Sequence, residues 1–302
     1  MRPLLLTFDA FNTLFHPRRT IPTQYRASAS NFGIHVSYLH LREAFKAAFK
    51  AQSLSHPNYG RDLALRGKYA GPQQWWEDVI RASFAGAFER DDDKRNTTTE
   101  IPAALIHDLL DRFASIRGYK LCRGVAPFFK HLRSIQRDGG GLEARRKIVI
   151  GVVSNSDDRI CSVLQSLGVS VGEARAGETE SHKLPGFEEE RERISPLQHQ
   201  KDVDFVLTSY QLGVEKPDPL VWDVALRTAQ SLRPGAGDNE GWECVHVGDE
   251  YARDYHGAVN AGWKAYYLSQ QAEAPANVPE GTKTIKSLLD LIPELEALKQ
   301  IK

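Results

Sequence analysis

Four short segments place residue types that do chemistry at the ends of apolar runs. Asp9 closes the run Leu4-Leu5-Leu6-Thr7-Phe8 and is followed by Ala10-Phe11-Asn12-Thr13-Leu14. A carboxylate delivered at the C-terminal end of a strand can serve as a nucleophile or a metal ligand. Val153-Ser154-Asn155-Ser156-Asp157 offers hydroxyl, amide and backbone N–H groups at a strand-to-helix turn, donors that suit an anion. Glu215-Lys216-Pro217-Asp218-Pro219 opens a helix with a lysine able to neutralise a transferring phosphoryl group. Gly248-Asp249-Glu250-Tyr251-Ala252-Arg253-Asp254 supplies the hard carboxylate oxygens that suit Mg²⁺. Taken alone, each segment also reads as an ordinary helix or turn cap or a surface lysine. Their shared placement just past strands ties them together, because open parallel sheets bind ligands beyond the carboxyl ends of their strands.

The elements that must position these residues follow from the apolar pattern. Besides the first run, Ile148 to Val153, Phe205 to Leu207, Cys244 to Val247 and Ala265 to Leu268 read as buried strands. Between them, Ile160, Val163, Leu164 and Leu167, and again Leu220, Val221, Val224 and Ala225, keep helical spacing. This alternation predicts an α/β fold, a parallel sheet with helices on both faces. From 16 to 119 the pattern is helical instead. Phe45, Ala48 and Phe49 form one face, Trp75, Trp76, Val79, Ile80 and Phe84 a second, and Ile101, Leu105, Leu109 and Phe113 a third. The expected organisation is a core of residues 1–15 and 120–302, with residues 16–119 inserted as a helical module. The charge run Asp91 to Asn96 reads as a solvated loop, and 137–147 and 171–200 as surface insertions.

Composition narrows the function classes. The chain has 302 residues, 41% hydrophobic and 26% charged, which is ordinary for a folded protein of about two domains. Lys plus Arg and Asp plus Glu both number 39, so no overall field favours nucleic acid or an anionic membrane, and neither is expected as a partner. The first apolar run is too short for a signal-peptide core or a bilayer span. Cys122, Cys161 and Cys244 are scattered and odd in number, which argues against disulfides or zinc and for a reducing, cytoplasmic location. Trp75, Trp76 and Phe84 read as core aromatics, and His16 and His246 as structural residues without an identifiable partner.

In the order and position of these segments the chain resembles the haloacid dehalogenase-like (HAD) hydrolase superfamily. That family's motif series is a strand ending in a catalytic Asp, a strand ending in Ser or Thr, a Lys, and an acidic pair. The helical insertion looks like that family's C1 cap on a Rossmann-like core. Asn58-Tyr59-Gly60, Trp75-Trp76 and Phe205-Val206-Leu207-Thr208-Ser209 look like its REG-2-like branch. The resemblance implies that Asp9 is a nucleophile forming an aspartyl-phosphate, and that Ser154, Asn155 and Lys216 bind the phosphoryl oxygens. It implies Mg²⁺ held by Asp9, Asp249 and the backbone carbonyl of Phe11, with Asp254 supporting. The implied substrate is a small phosphorylated metabolite.

Two positions depart from the family pattern. Asn12 stands where glycine is usual, and Asn tolerates left-handed backbone better than most residues. Phe11 stands where family phosphatases carry an acid/base Asp, and phenylalanine moves no proton. Such help is typically worth about 10² to 10⁴-fold, so the expected enzyme is slow or confined to good leaving groups. An aromatic here is also what 2-haloacid dehalogenases show. Carbon–halogen hydrolysis, and a non-catalytic phospholigand-binding or scaffold role, are therefore the alternatives.

Overall fold

The computed structural model describes residues 2–90, 100–138, 148–174, 201–234, 241–269 and 278–300. Five runs of branched and aromatic residues form strands β1 (Leu4–Phe8), β4 (Ile148–Ser154), β6 (Val203–Thr208), β7 (Glu243–Gly248) and β8 (Lys264–Leu268). With β5 (Val171–Ala174) and β9 (Thr284–Ile285) they make a seven-stranded sheet of order β5-β6-β4-β1-β7-β8-β9, parallel throughout. Each of the five residues of β1 is buried, as a central strand covered on both faces requires. Period-two alternation then builds two cores. Leu4, Leu6 and Phe8 join one, with Phe128 and Phe129, while Leu5 joins the other, with Val149, Phe205, Trp222 and Trp263. Fully burying one such side chain contributes about 1.5 to 3 kcal/mol, so both faces fix the register of β1.

The chain leaves the sheet after β1 and returns at β4. In between lie α1 (Ile21–Ser30), α2 (Tyr38–Ser55), α3 (Pro57–Leu65), α4 (Pro72–Phe88) and α5 (Ala103–Arg112). Tyr25 of α1 sits at their centre, stacked on Phe84 at 6.1 Å and meeting Phe45 and Phe113 at 5.5 Å each. The two crossings to this module pair with each other as an antiparallel ribbon, β2 (Phe15–Pro17) with β3 (Tyr119–Leu121). Helices of the sheet region follow, among them α6 (Val125–Asp138), α7 (Arg159–Ser166) and α8 (Pro219–Leu232).

Two expectations need correction. Residues 171–174, read as part of a surface insertion, form edge strand β5 against Val203 and Phe205; 137–138 belong to α6. The remainder of both insertions, and the charge run at 91–96, lie outside the described residues. No described helix is long and apolar enough to cross a membrane. None of the three cysteines, Cys122, Cys161 and Cys244, forms a disulfide.

Candidate active site

The sheet order places β1 between β4 and β7, whose connections run to opposite sides, so Asp9 emerges at the topological switch point. Its backbone N–H donates to the Val247 carbonyl at 2.8 Å. The turn that follows is tight: Leu14 and Phe15 both donate to the Ala10 carbonyl, and Asn12 donates to the Phe15 carbonyl at 2.7 Å. This closure leaves Asn12 at a φ of 59°, in the left-handed region that its residue type tolerates. Its side chain hydrogen-bonds Asp249.

Lys216 joins the other segments to Asp9. Its buried ammonium donates to Asp9 Oδ1 at 2.6 Å, Asp254 Oδ1 at 2.6 Å and the Val153 carbonyl at 2.8 Å, which uses all three protons. Burial works against this charge, but Asp254 and Asp9 outweigh it and hold the ammonium above its ordinary pKa. The Lys216 backbone is fixed by Asn155, whose Oδ1 accepts from Lys216 N–H at 2.7 Å and whose Nδ2 donates to the Lys216 carbonyl at 2.9 Å. The side chain of Asn155 therefore clamps Lys216 through its Oδ1 and one of its two Nδ2 protons. Ser154 is buried at the end of β4, beside the carbonyl that receives Lys216.

Three carboxylates gather beside the ammonium. Asp9, Asp249 and Asp254 each offer an oxygen within 4.8 Å of the others. Burial pushes Asp9 up to about 6 against the pull of Lys216, with Asp254 adding to the rise. Burial and the charges of Asp9, Asp254 and Glu250 push Asp249 up to about 7. Both shifts come first from burial and then from neighbouring carboxylate charge, and a cluster of hard oxygen donors of this kind fits a divalent cation. Asp254 behaves differently: burial would raise it, but Lys216 and His246 hold it below the ordinary carboxylate range. Its Oδ2 accepts from Glu250 N–H at 2.9 Å, and it packs so closely on Gly248 that a Cβ there would overlap its carboxylate.

Sequence reasoning missed the partners of His246. The ring is fully buried on β7, with Nε2 3.3 Å from Asp254 Oδ1 and Nδ1 2.9 Å from Thr7 Oγ1. Burial pushes it down to about 4, so it is neutral at pH 7. Trp76 also needs correction. Trp75 and Phe84 are core residues as expected, but the Trp76 indole N–H donates to Asp157 Oδ2 at 2.6 Å. Arg159 chelates the same carboxylate and lies 4.4 Å over the Trp76 ring. This cluster joins α4 to the turn after β4. Tyr59 packs beside it, 5.1 Å from Trp75 and 6.3 Å from Trp76, at a φ of 60°. Phe11 is 38% exposed and meets Phe15 and Tyr119 edge-on, both at 6.2 Å.

A family model described as haloacid dehalogenase-like hydrolase matches residues 4–262. The chain belongs to that family. This hydrolase is 28% identical over 298 residues to haloacid dehalogenase-like hydrolase domain-containing protein 3 of Bos taurus, covering 98% of this chain and 94% of the relative. It is 26% identical over 276 residues to the rhythmically expressed gene 2 protein of Drosophila melanogaster, covering 89% and 84%. These matches bear out the branch expected from the sequence. Among solved structures it shares its fold with a 2-haloacid dehalogenase from Pseudomonas syringae, at a TM-score of 0.53 and 18% identity over 99% of both chains. The HAD-hydrolase YfnB from Bacillus subtilis, solved bound to magnesium, matches at a TM-score of 0.51 and 13% identity over 98% and 100%.

Proposed function

We propose that this hydrolase transfers the phosphoryl group of a small phosphorylated metabolite to Asp9 and then to water. The observation that carries this reading is the joining of Asp9 to Lys216 beside a second, charge-rich carboxylate, Asp249. An anionic nucleophile meets an anionic phosphoryl group only where cations offset the repulsion. Asp9 Oδ attacks phosphorus, the bond from phosphorus to the leaving oxygen breaks, and an aspartyl-phosphate forms. Water then attacks phosphorus, the bond to Asp9 breaks, and the proton passes to solvent or to the released phosphate. Ser154 and the Asn155 backbone N–H donate to the phosphoryl oxygens, and Lys216, whose three protons are engaged, offsets their charge through space.

Asp9, Asp249 and the Phe11 carbonyl are the groups proposed to hold Mg²⁺. When bound, the ion supplies Lewis-acid neutralisation of the phosphoryl charge. Asp254 acts behind this set, because Lys216, His246 and Glu250 N–H already occupy its oxygens. Phe11 supplies no proton to the departing oxygen, so the reading favours leaving groups that depart as stable anions, such as the carboxylate of an acyl phosphate. Residues 16–119 act as the cap over this site, joined to the turn after β4 through Trp76 and Asp157. Three cysteines outside any disulfide suit a reducing compartment such as the cytoplasm.

The test is phosphate release from acetyl phosphate, p-nitrophenyl phosphate and glucose 6-phosphate, with Mg²⁺ or EDTA, comparing the native chain with Asp9→Asn. Release that needs both Mg²⁺ and Asp9, fastest on acetyl phosphate, is expected. Phe11 also favours a second reading, attack of Asp9 on a carbon–halogen bond. Halide release from 2-chloropropionate that persists in EDTA would establish that reading and overturn the first. Binding of phosphate without turnover would leave a non-catalytic role.

A further inference from the structure

Lys216 has no spare proton, so the direction of its ammonium depends on whatever fixes its acceptors. Val153 is backbone and cannot turn away. Asp254 is a side chain, and a carboxylate on a freely turning χ2 could draw the ammonium away from Asp9. Its Oδ2 is tied to Glu250 N–H at 2.9 Å, and its Oδ1 takes a second donor besides Lys216, from His246.

We infer that His246, held by Thr7 as the Nε2–H tautomer, is a positioning residue that fixes Asp254 and, through it, the ammonium of Lys216. The sheet register supports the arrangement, since Thr7 of β1 and His246 of β7 are direct partners and present their side chains on one face. The proton assignment follows from acceptor accounting. Asp254 Oδ1 accepts only, so Nε2 carries the hydrogen at that 3.3 Å contact. A neutral ring then has a lone pair at Nδ1, and the partner able to donate to it is the Thr7 hydroxyl at 2.9 Å. That hydroxyl has one proton and a second neighbour, the Val245 carbonyl, at 3.2 Å. The shorter contact takes the proton. Trp222 packs against the ring edge-on at 4.7 Å, and the ring is fully buried. The role of Lys216 rests on the phosphoryl-transfer reading above; the tautomer does not.

The experiment is ¹H–¹⁵N correlation of the histidine side chains in the full chain at pH 7, with His246 assigned by its loss in His246→Gln. A protonated Nε2 and a hydrogen-bonded, unprotonated Nδ1 are expected. Thr7→Val should move the Nδ1 resonance and leave Nε2 protonated. A proton on Nδ1, alone or with Nε2, would overturn the assignment, as would an Nδ1 resonance unmoved in Thr7→Val. Kinetics on acetyl phosphate with Mg²⁺ test the positioning. His246→Leu should lower kcat about 10- to 100-fold with KM little changed, and His246→Gln, which keeps an N–H near the Nε2 position, should recover most of it. Equal losses in the two variants would reduce His246 to a packing residue. A native chain inactive on every phosphate would count against phosphoryl transfer, while the spectra alone decided the tautomer.

Discussion

Asn58 and Ser209 exchange hydrogen bonds between the helical module and the sheet: Asn58 Nδ2 donates to the Ser209 carbonyl at 2.8 Å, and Ser209 Oγ donates to Asn58 Oδ1 at 3.0 Å. The pair holds a strained segment, since Asn58, Tyr59 and Gly60 have φ values of 46°, 60° and 72°. A left-handed tyrosine costs of order 1 to 3 kcal/mol and persists only where its surroundings over-determine it. Ser209 is buried and belongs to the turn directly after β6, so the anchor is the sheet itself.

Asn58→Ala removes both bonds and keeps the left-handed requirement. A loss of about 1 to 3 kcal/mol in urea unfolding is expected, together with a higher KM as Tyr59 leaves its position. A stable variant with unchanged KM would separate Tyr59 from substrate recognition.

Phe11→Asp places a proton carrier two residues after Asp9, the proposed nucleophile. The ring is partly exposed and makes two edge-on aromatic contacts, each worth about 0.5 to 1.5 kcal/mol, so the fold should survive. Turnover of glucose 6-phosphate should rise about 10² to 10⁴-fold, with a much smaller gain on acetyl phosphate, whose leaving group needs no acid. Equal changes on both substrates would mean that position 11 does not govern the leaving group.

Asp249 and Asp9 tie stability to pH. Both are pushed above their ordinary 3.8, to about 7 and about 6, so between about pH 4 and 7 the folded chain binds more protons than the unfolded one. In EDTA, stability should therefore fall as pH rises through this window, with the full penalty present above about 7. A bound cation relieves the repulsion, so Mg²⁺ should raise the urea midpoint more at pH 7.5 than at pH 5. Asp249→Asn should abolish most of that response. An equal Mg²⁺ effect at both pH values would place the ion elsewhere.

The sheet was legible because β1, β4 and the C-terminal part of β7 are buried on both faces and so read as mainly apolar runs leading to Asp9, Ser154 and Gly248. Edge strand β5 was not. Its sequence Val-Gly-Glu-Ala carries no such run, and it pairs on one side only. Asp9, Lys216, Asp249 and Asp254 were readable as strand-end and turn residues. The contacts that orient them were not, because Thr7 and His246 are 239 positions apart and meet only through strand pairing. Trp76 keeps core spacing on α4, yet its N–H reaches a carboxylate 81 residues later, which periodicity does not encode.

The ribbon β2–β3 brings the two ends of the helical module side by side. Phe15 pairs with Leu121 and Pro17 with Tyr119, Cys122 N–H donates to the Leu14 carbonyl, and Arg18 N–H donates to the Gly118 carbonyl, each of the last two at 2.9 Å. Everything from 18 to 118 is thus a detour that starts and finishes at one point of the core. Such a segment behaves as a cassette. Its length and sequence can vary at this junction without altering the order of any strand in the sheet, and what restrains such change is the set of contacts the module makes back to the core, Asn58 with Ser209 and Trp76 with Asp157.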